Sequence, residues 1–144
     1  VQNKMDQIIE SDEKLSSIMH YATSVPRIGK VIAVQIIIWT NEFIDIDNAK
    51  KFASYCGVAP FEWQSGTSVK GRTKVSNHAN KELKSLLHIA SVGFVRQPNL
   101  FLGRYYQRKV KEGKNKMSVL NAIRNKLLHR VFSCVNNSKL YNET

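Results

Sequence analysis

The segment from Gly57 to Ser76, GVAPFEWQSGTSVKGRTKVS, constrains the fold of this chain more than any other part of it. Three glycines and one proline interrupt the segment too often for a helix, and its threonines and valines favour extended or turn geometry. It lies between two stretches with helical periodicity. Connections of this length inside compact domains are usually either functional or disordered. The sequence therefore predicts a long loop, or a short β-hairpin from Trp63 to Val75, within an otherwise helical chain.

The rest of the chain has the apolar spacing of helices, which indicates a mostly α, compact helical domain. The acidic patch from Glu10 to Glu13 could break the first helix, and Gly29 could supply a positive φ in the turn after it. The expected helices are 4–22, 30–41 (apolar nearly all round and therefore buried, with Trp39 in the core), 47–56 (capped by Asp47 and stopped by Gly57), one that opens at Ser76 or Asn77, 100–111 and 116–136.

The charge of the chain is strongly positive and unevenly distributed. The net charge is +11, and beyond Asp47 only four glutamates oppose all the remaining lysines and arginines. This imbalance predicts a polyanionic partner, although a solvated basic surface would have the same composition. The two cysteines and four histidines have no metal-ligand spacing, so we expect no metal site in this chain and a reduced, cytoplasmic protein. The apolar run from Val31 to Trp39 is too short to span a bilayer, so no membrane partner is expected.

The sequence VPRIG, from Val25 to Gly29, is typical of the turn in a helix–hairpin–helix DNA-binding element. In such a turn, consecutive backbone amides at a helix N-terminus bind phosphate without reading base sequence. Gly29 would leave these amides accessible, while Arg27 and Lys30 would add positive charge. An ordinary connection between two helices remains an alternative for the same residues.

Ser65 is the candidate nucleophile within the long segment. It lies between Gln64 and Gly66 and is followed by the alternating cations Lys70, Arg72 and Lys74. On a strand these three side chains would share one face, where they could neutralise the charge that develops on a phosphate under attack by an alkoxide. No Ser-His-Asp motif surrounds Ser65. A turn serine on a solvated hairpin is the alternative.

A third candidate site lies on the helix after Pro98. Tyr105 and Tyr106 could stack on bases, with Arg104, Arg108 and Lys109 at backbone phosphates. We expect one of the two tyrosines to be part of the core, with the cations at backbone phosphate. On the last helix, Arg124, Lys126 and Arg130 are expected outside the apolar stripe.

Four ordered motifs carry a resemblance that covers the chain from about Ser24 to Tyr141: VPRIGKVIA, FIDIDNAKKFASYCGVAPFEWQSG, GRTKVSNHANKELKSLLHIAS and FLGRYYQRKVKEGKNKMSVLNAIRNKLLHRVF. Together they resemble the C-terminal domain of insertion-sequence transposases of the IS-one-ten type, which are serine-dependent, bridge-RNA-guided DNA recombinases. This chain has Arg27 where that family commonly has glycine, and Ala79 where it commonly has glycine before Asn80.

The resemblance implies that Ser65 attacks DNA and becomes covalently joined to it. DNA contacts are expected from its neighbours Gln64, Gly66, Lys70, Arg72 and Lys74. It implies that residues 1–22 are a linker helix from a missing N-terminal, RNase-H-like domain, and that residues 23–144 are the transposase C-terminal domain. That missing domain would hold Mg through four acidic residues, so this chain alone needs no cofactor and should be inactive in recombination. DNA, a guide (bridge) RNA and further copies of the full-length protein are the implied partners.

Two other functional hypotheses remain open from the residues alone. The chain could be a non-catalytic helix–hairpin–helix module that binds nucleic acid. It could also be an RNA-binding assembly domain, in which the helix from Tyr105 to Lys109 and the C-terminal helix grip the guide and pair protomers.

Overall fold

The computed structural model of the chain describes residues 2–58 and 78–142, and in both ranges every regular element is helical, with no strand. The elements are α1 (Gln2–Ser11), α2 (Glu13–Thr23), α3 (Lys30–Thr40), α4 (Ala49–Cys56), α5 (His78–Val92), a 3₁₀ turn (Gly93–Arg96), α6 (Phe101–Lys111) and α7 (Lys116–Asn136). The predicted mostly α, compact helical fold is confirmed. The predicted loop or β-hairpin around Ser65 lies outside the described residues.

Helix α7 is the centre of the fold, because α2, α4, α5 and α6 all pack against it. Its Ile123, Leu127 and Val131 are completely buried. Near its end, the Phe132 ring lies 4.8 Å from the Phe43 ring and 5.5 Å from the Phe52 ring, measured between centroids. Burial of one such side chain stabilises a fold by about 1.5–3 kcal/mol. The helices therefore share one hydrophobic core, in which α7 is the common partner.

The acidic patch does break the first predicted helix, at Asp12. The Asp12 carboxylate accepts hydrogen bonds from the amides of Lys14 (2.9 Å) and Leu15 (3.1 Å), which makes Asp12 the N-cap of α2. Helix α2 then buries Ile18, Met19 and Ala22 in the shared core. The division into residues 1–22 and 23–144 stays a prediction, and both of its parts contribute to this core.

The turn between α2 and α3 has the opposite backbone arrangement to the one expected from its glycine. Gly29 is extended (φ −91°) and is the N-cap of α3, whereas Arg27 has the left-handed φ of 71°. A non-glycine residue in that region costs roughly 1–2 kcal/mol because Cβ approaches the following carbonyl oxygen. A glycine at this position, which the transposase resemblance makes the common residue, would avoid that cost.

The start of α4 differs from its prediction by one residue. Asn48, and not Asp47, caps the helix, because the Asn48 Oδ1 accepts hydrogen bonds from the amides of Lys50 (2.8 Å) and Lys51 (3.2 Å). Both side chains are good caps, and sequence alone does not say which one adopts the extended conformation that capping needs. At the other end of the helix, Gly57 is left-handed (φ 72°) and ends α4 as predicted.

The expectation that α3 is buried all round is only partly correct. Val31 and Ile38 are 55% and 58% exposed, while Trp39 is half-buried and not part of the fully buried core. A helix that is apolar on every side carries no periodic signal for which side faces the core. The exposed side of α3 borders an apolar groove towards α1, lined in part by Ile8 and Ile38.

Candidate nucleic-acid interface

Helix α6 is held close to the preceding 3₁₀ turn by a glycine. A Cβ built on Gly103 would overlap the carbonyl oxygen of Gln97 and would stand 2.9 Å from the carbonyl oxygen of Phe94. The neighbouring Leu102 and Tyr106 are buried, so they fix which side of α6 faces the core. The opposite side of the helix is thereby presented outward.

That outward side of α6 carries aromatic and cationic residues one helical turn apart. Phe101, Arg104, Tyr105 and Arg108 follow the i, i+3, i+4, i+7 spacing of one helix face, and they line a surface pocket of about 300 Å³. Phe101 is 42% exposed and Tyr105 is half-buried. The expectation that one tyrosine belongs to the core is confirmed, and the core tyrosine is Tyr106.

Helix α7 adds two cations next to these rings. Lys126 Nζ lies 5.0 Å from the centroid of the Tyr105 ring, and the Arg130 guanidinium carbon lies 5.4 Å from the centroid of the Phe101 ring. On α6 itself, the Arg108 guanidinium carbon and Lys109 Nζ lie 5.7 Å and 5.9 Å from the Tyr105 centroid. We call this set the basic–aromatic face; its members are Phe101, Arg104, Tyr105, Arg108, Lys109, Lys126 and Arg130.

The basic–aromatic face has a large excess of positive charge. Its Lys109 forms an ion pair with Glu112, at 3.4 Å. Arg104 and Arg108 are like charges at i, i+4, as are Lys126 and Arg130, and such pairs destabilise a helix by about 0.2–0.5 kcal/mol. Cation–π contacts at exposed sites return about 0.5–1 kcal/mol each. The cation–π contacts therefore offset the repulsion between neighbouring cations, but the net charge of the face remains positive.

The C-terminal tail contacts the basic–aromatic face at Arg130. The Arg130 guanidinium donates from Nε to the Tyr141 hydroxyl at 3.3 Å, and the backbone amide of Tyr141 donates to Ser24 Oγ at 2.9 Å. These two hydrogen bonds fix the tail between α7 and the start of the α2–α3 turn. Arg130 is thus oriented by the Phe101 ring, by the tail and by the carbonyl oxygen of Lys126, to which its Nη1 donates at 3.3 Å.

The predicted phosphate-binding turn lies near the same region of the fold. Arg27 donates from Nε to Gln97 Oε1 (2.9 Å) and from Nη2 to the carbonyl oxygen of Gly93 (3.2 Å). Gly29 and Lys30 are exposed, and the first turn of α3 receives no side-chain cap. Phosphate binding by this turn stays a prediction. Its two hydrogen bonds let Arg27 hold the turn against the segment that leads into α6.

The catalytic prediction falls in the part of the chain that is not described. Ser65, Gln64, Gly66, Lys70, Arg72 and Lys74 all lie outside the described residues. The structure does show how the segment begins. Val58 is fully buried, and its amide donates to the carbonyl oxygen of Ala53 at 2.9 Å. A Cβ built on Gly57 would stand 3.9 Å from Lys84 Nζ, so a cation of α5 lies beside the start of this segment.

The sequence placed Arg104, Arg108 and Lys109 on one helix, and the structure brings them together with further residues that were not predicted as site residues. Lys126 and Arg130 come from α7, which packs against α6. Their i, i+4 spacing on the last helix was a usable signal. What the sequence lacked was the pairing of α6 with α7, and that pairing is a tertiary contact.

The prediction for Arg124 is wrong. This residue was expected outside the apolar stripe of the last helix, but it is only 8% exposed. Its Nη2 donates to Asn121 Oδ1 at 2.8 Å, and its Nε has no hydrogen-bond partner in the part of the chain that is described. Burial lowers the pKa of the Arg124 guanidinium, because a low-dielectric environment disfavours the charged form.

Neither thiol has the properties of a nucleophile. Cys56 and Cys134 are both buried and reduced. Burial raises the pKa of the Cys56 thiol to about 12, and burial also raises the pKa of Cys134. A thiol with a raised pKa is inert at neutral pH, since only the thiolate attacks.

Metal-binding clusters and membrane-spanning helices are both absent from the described residues. No group of three or more histidine, cysteine, aspartate or glutamate side chains in 2–58 and 78–142 could hold a metal ion. Over the same residues, every helix is too short or too polar to cross a membrane.

Comparison with known proteins places the chain in a family. It is similar to two curated relatives, each called "Pilin gene-inverting protein", from Moraxella bovis and Moraxella lacunata; it is 27% identical to each over 139 residues. The alignments cover 95% of this chain and 42% of each relative, so the chain spans less than half the length of the curated relatives it matches. No solved structure matches significantly. The sequence profile described as "Transposase IS116/IS110/IS902 family" matches residues 19–107, from the end of α2 into α6. The chain therefore belongs to the transposase IS116/IS110/IS902 family.

Proposed function

We propose that this chain is the DNA-handling domain of a transposase that rearranges DNA by recombination. The observation that carries the proposal is the family match over residues 19–107, which spans the segment with Ser65 and three of the seven residues of the basic–aromatic face. The two relatives are named for inverting a gene, and inversion requires DNA strands to be cut and rejoined. The excess of positive charge supports a role in contact with DNA.

The proposed chemistry is a transesterification with Ser65 as nucleophile. Ser65 Oγ would form a bond to the phosphorus of a DNA phosphodiester, while the bond from phosphorus to a sugar oxygen breaks. The proton that leaves the serine hydroxyl is balanced by the proton that the released sugar hydroxyl takes up. A seryl phosphodiester has replaced a sugar phosphodiester, so the strand can later be rejoined without an external energy source. Lys70, Arg72 or Lys74 would stabilise the charge that develops on the phosphoryl oxygens.

DNA contact in this proposal comes from two regions: the turn with Arg27, Gly29 and Lys30, and the basic–aromatic face. Contacts of lysine and arginine with phosphate fix the position of a protein on DNA but do not read its sequence. This would suit a recombinase whose choice of target is made by base pairing with a guide RNA, which is the partner that the resemblance implies. Mg, held by a further domain, and a homo-oligomeric assembly are implied in the same way.

The catalytic part of the proposal can be tested in a longer transposase that contains this chain, supplied with guide RNA, DNA and magnesium. The unaltered protein should form a protein–DNA adduct that survives denaturant, and Ser65→Ala should abolish it. Ser68→Ala is the matched control, since it removes another hydroxyl from the same segment and should leave the adduct intact. An adduct that persists in Ser65→Ala would refute the assignment of the nucleophile.

The non-catalytic nucleic-acid-binding module remains the second candidate function. The observation that favours it is the basic–aromatic face, which requires no contribution from Ser65. If the unaltered longer protein forms no covalent adduct with DNA, yet the chain binds DNA, this second function replaces the first.

The DNA-contact part of the proposal predicts a change in salt dependence. The binding constant for duplex DNA falls as salt rises, and removal of one phosphate-binding cation makes the slope of its logarithm against the logarithm of salt concentration shallower by about 0.9. Arg104→Gln combined with Arg108→Gln should therefore make this slope shallower by about 1.8. Lys50→Gln combined with Lys51→Gln is the matched control, because it makes the same change of net charge on exposed residues of α4. Fluorescence anisotropy of a labelled duplex over a salt series measures both slopes. Equal changes in the two double variants would show that only net charge matters.

A further inference from the structure

We propose that the basic–aromatic face binds an unpaired nucleic-acid strand, with a base stacked in the pocket of Phe101 and Tyr105 and its flanking phosphates at Arg104 and Arg108. The inference rests on the proposed function in one respect only, which is that the chain handles nucleic acid. It names the form of the nucleic acid that this site takes.

The rings of the pocket are not among the buried core side chains, although Tyr105 packs partly against that core. Helix α6 already buries Leu102, Gly103 and Tyr106 on its inner side. Phe101 nevertheless remains 42% exposed, and Tyr105 lines the same pocket one turn further along. Aromatic side chains on which bases stack are the common feature of proteins that bind single strands.

The cations surround these rings at positions suited to a strand. Arg104 donates from Nη1 to the carbonyl oxygens of Asn99 (2.9 Å) and Pro98 (3.4 Å), so its guanidinium group is oriented before any ligand arrives. Arg108 follows one turn later, about 6 Å along the helix axis. Both arginines line the pocket together with Phe101 and Tyr105. A strand in this pocket would therefore meet arginine for its phosphates and an aromatic surface for its base.

The two cations from α7 complete the arrangement. Lys126 Nζ and the Arg130 guanidinium carbon lie 5.0 Å and 5.4 Å from the Tyr105 and Phe101 centroids. They hold positive charge next to the rings, where a bound strand would relieve the repulsion among the cations of the face. A surface that served only to attract a duplex at long range would need this charge but not the two rings.

An unpaired strand fits this pocket better than a duplex does. In a duplex each base face is covered by its stacked neighbours, and the grooves offer only base edges and the backbone. Rings within a pocket can stack only on a base whose face is uncovered. Single-stranded DNA and single-stranded RNA share this chemistry, so the experiment must tell them apart.

The test measures the binding of the whole chain to four fluorescent probes at one salt concentration. The probes are an oligo-dT strand, an oligo-U strand, a DNA duplex of matched length and poly-glutamate. Tyr105→Leu should weaken binding of a single strand about tenfold, as expected when one stacked base is no longer supported, and binding of the duplex less than about twofold. Tyr105→Phe keeps the ring and should keep the affinity. Circular dichroism must first show that each variant folds; if Tyr105→Leu does not, Phe101→Leu takes its place with the same expectation.

Each outcome decides the inference. Selective weakening for oligo-dT identifies unpaired DNA as the ligand, selective weakening for oligo-U identifies unpaired RNA, and weakening for both supports the shared chemistry. Equal weakening for strand and duplex, or an unchanged affinity in the leucine variant, would overturn the stacking role. Poly-glutamate binding as tight as strand binding, with the same weakening in Tyr105→Leu, would point to an acidic protein instead. A failure here leaves the Ser65 adduct test untouched, and a failed adduct test leaves strand binding intact.

Discussion

The substitution Gly103→Ala tests whether close backbone packing positions the helix that carries the basic–aromatic face. The added Cβ would overlap the carbonyl oxygen of Gln97 and would lie 2.5 Å from the carbonyl carbon of Gln97 and 2.9 Å from the carbonyl oxygen of Phe94. Ordinary contact begins near 3.4 Å, and the neighbours are backbone atoms that cannot turn aside. Helix α6 and the 3₁₀ turn must therefore separate.

The expected decrease in stability follows from three contributions. Overpacking of a buried site costs about 1–3 kcal/mol. The same Gln97 oxygen accepts the amide of Leu100 at 3.0 Å, and weakening that hydrogen bond costs about 1 kcal/mol. Against these, alanine is favoured over glycine inside a helix by about 1 kcal/mol. We expect Gly103→Ala to lower the free energy of unfolding by about 2 kcal/mol, and the melting temperature by roughly 4–8 °C.

Urea unfolding followed by far-UV circular dichroism measures this decrease, provided that the slope against denaturant is unchanged. Gly29→Ala is the control, because Gly29 has a φ of −91° and no atom within 4 Å of a built Cβ. It should cost less than about 1 kcal/mol, since glycine is only a moderate N-cap. If Gly103→Ala is as stable as the unaltered chain, helix propensity outweighs packing and the reasoning about α6 is wrong.

Three further predictions concern stability. Burial raises the pKa of Cys56 from 9.0 to about 12, so the contribution of its protonated thiol to the free energy of unfolding is fully present below pH 9. As pH rises from 9 towards 12, the free energy of unfolding should fall by up to about 1.4 kcal/mol per pH unit. Urea titrations of the unaltered chain and of Cys56→Ala over this pH range check this, and equal slopes of stability against pH in the two proteins would contradict it. Arg27→Gly should be more stable than Arg27→Ala by about 1 kcal/mol, because both lack the guanidinium and only glycine tolerates φ 71° without strain. Thermal unfolding of the two variants measures the difference, and equal stability would argue against backbone strain at this position. Arg124→Met should leave stability unchanged or raise it by about 1–2 kcal/mol, since the Arg124 guanidinium is buried with its Nε unpaired among the described residues. Arg124→Ala should be destabilised by about 2 kcal/mol or more, because it leaves a cavity. Chemical denaturation compares the two variants, and a decrease in Arg124→Met as large as in Arg124→Ala would show that the buried charge stabilises the fold.

The regular helices were largely predictable from the sequence, because periodicity and stop signals agree there. Helix α7 spans Lys116–Asn136, as its apolar spacing predicted. Gly113, which lies in the turn between α6 and α7, has a positive φ of 91°. The failures occur where two residues compete for one role. Asp47 and Asn48 can both cap, and Arg27 and Gly29 lie in one turn, so the choice between them depends on how the flanking helices pack.

The candidate site was predictable in its parts but not in its assembly. Arg104 and Arg108 could be named from the spacing on one helix, whereas Lys126 and Arg130 joined them only once α6 was packed on α7. Arg124 was misplaced because a charged residue at the edge of an apolar stripe normally points outward. The assignment of Ser65 rests on the resemblance to a family, and it stays a prediction.

The contact of Arg27 with Gly93 and Gln97 has a mechanical consequence. Gly93 has no side chain, and a Cβ there would come within 2.9 Å of the Arg27 guanidinium carbon, so the arginine fits against the 3₁₀ turn only because that space is empty. Arg27 therefore links the turn after α2 to the segment that leads into α6. A strand that touched both would meet two surfaces that Arg27 already joins in the absence of a ligand.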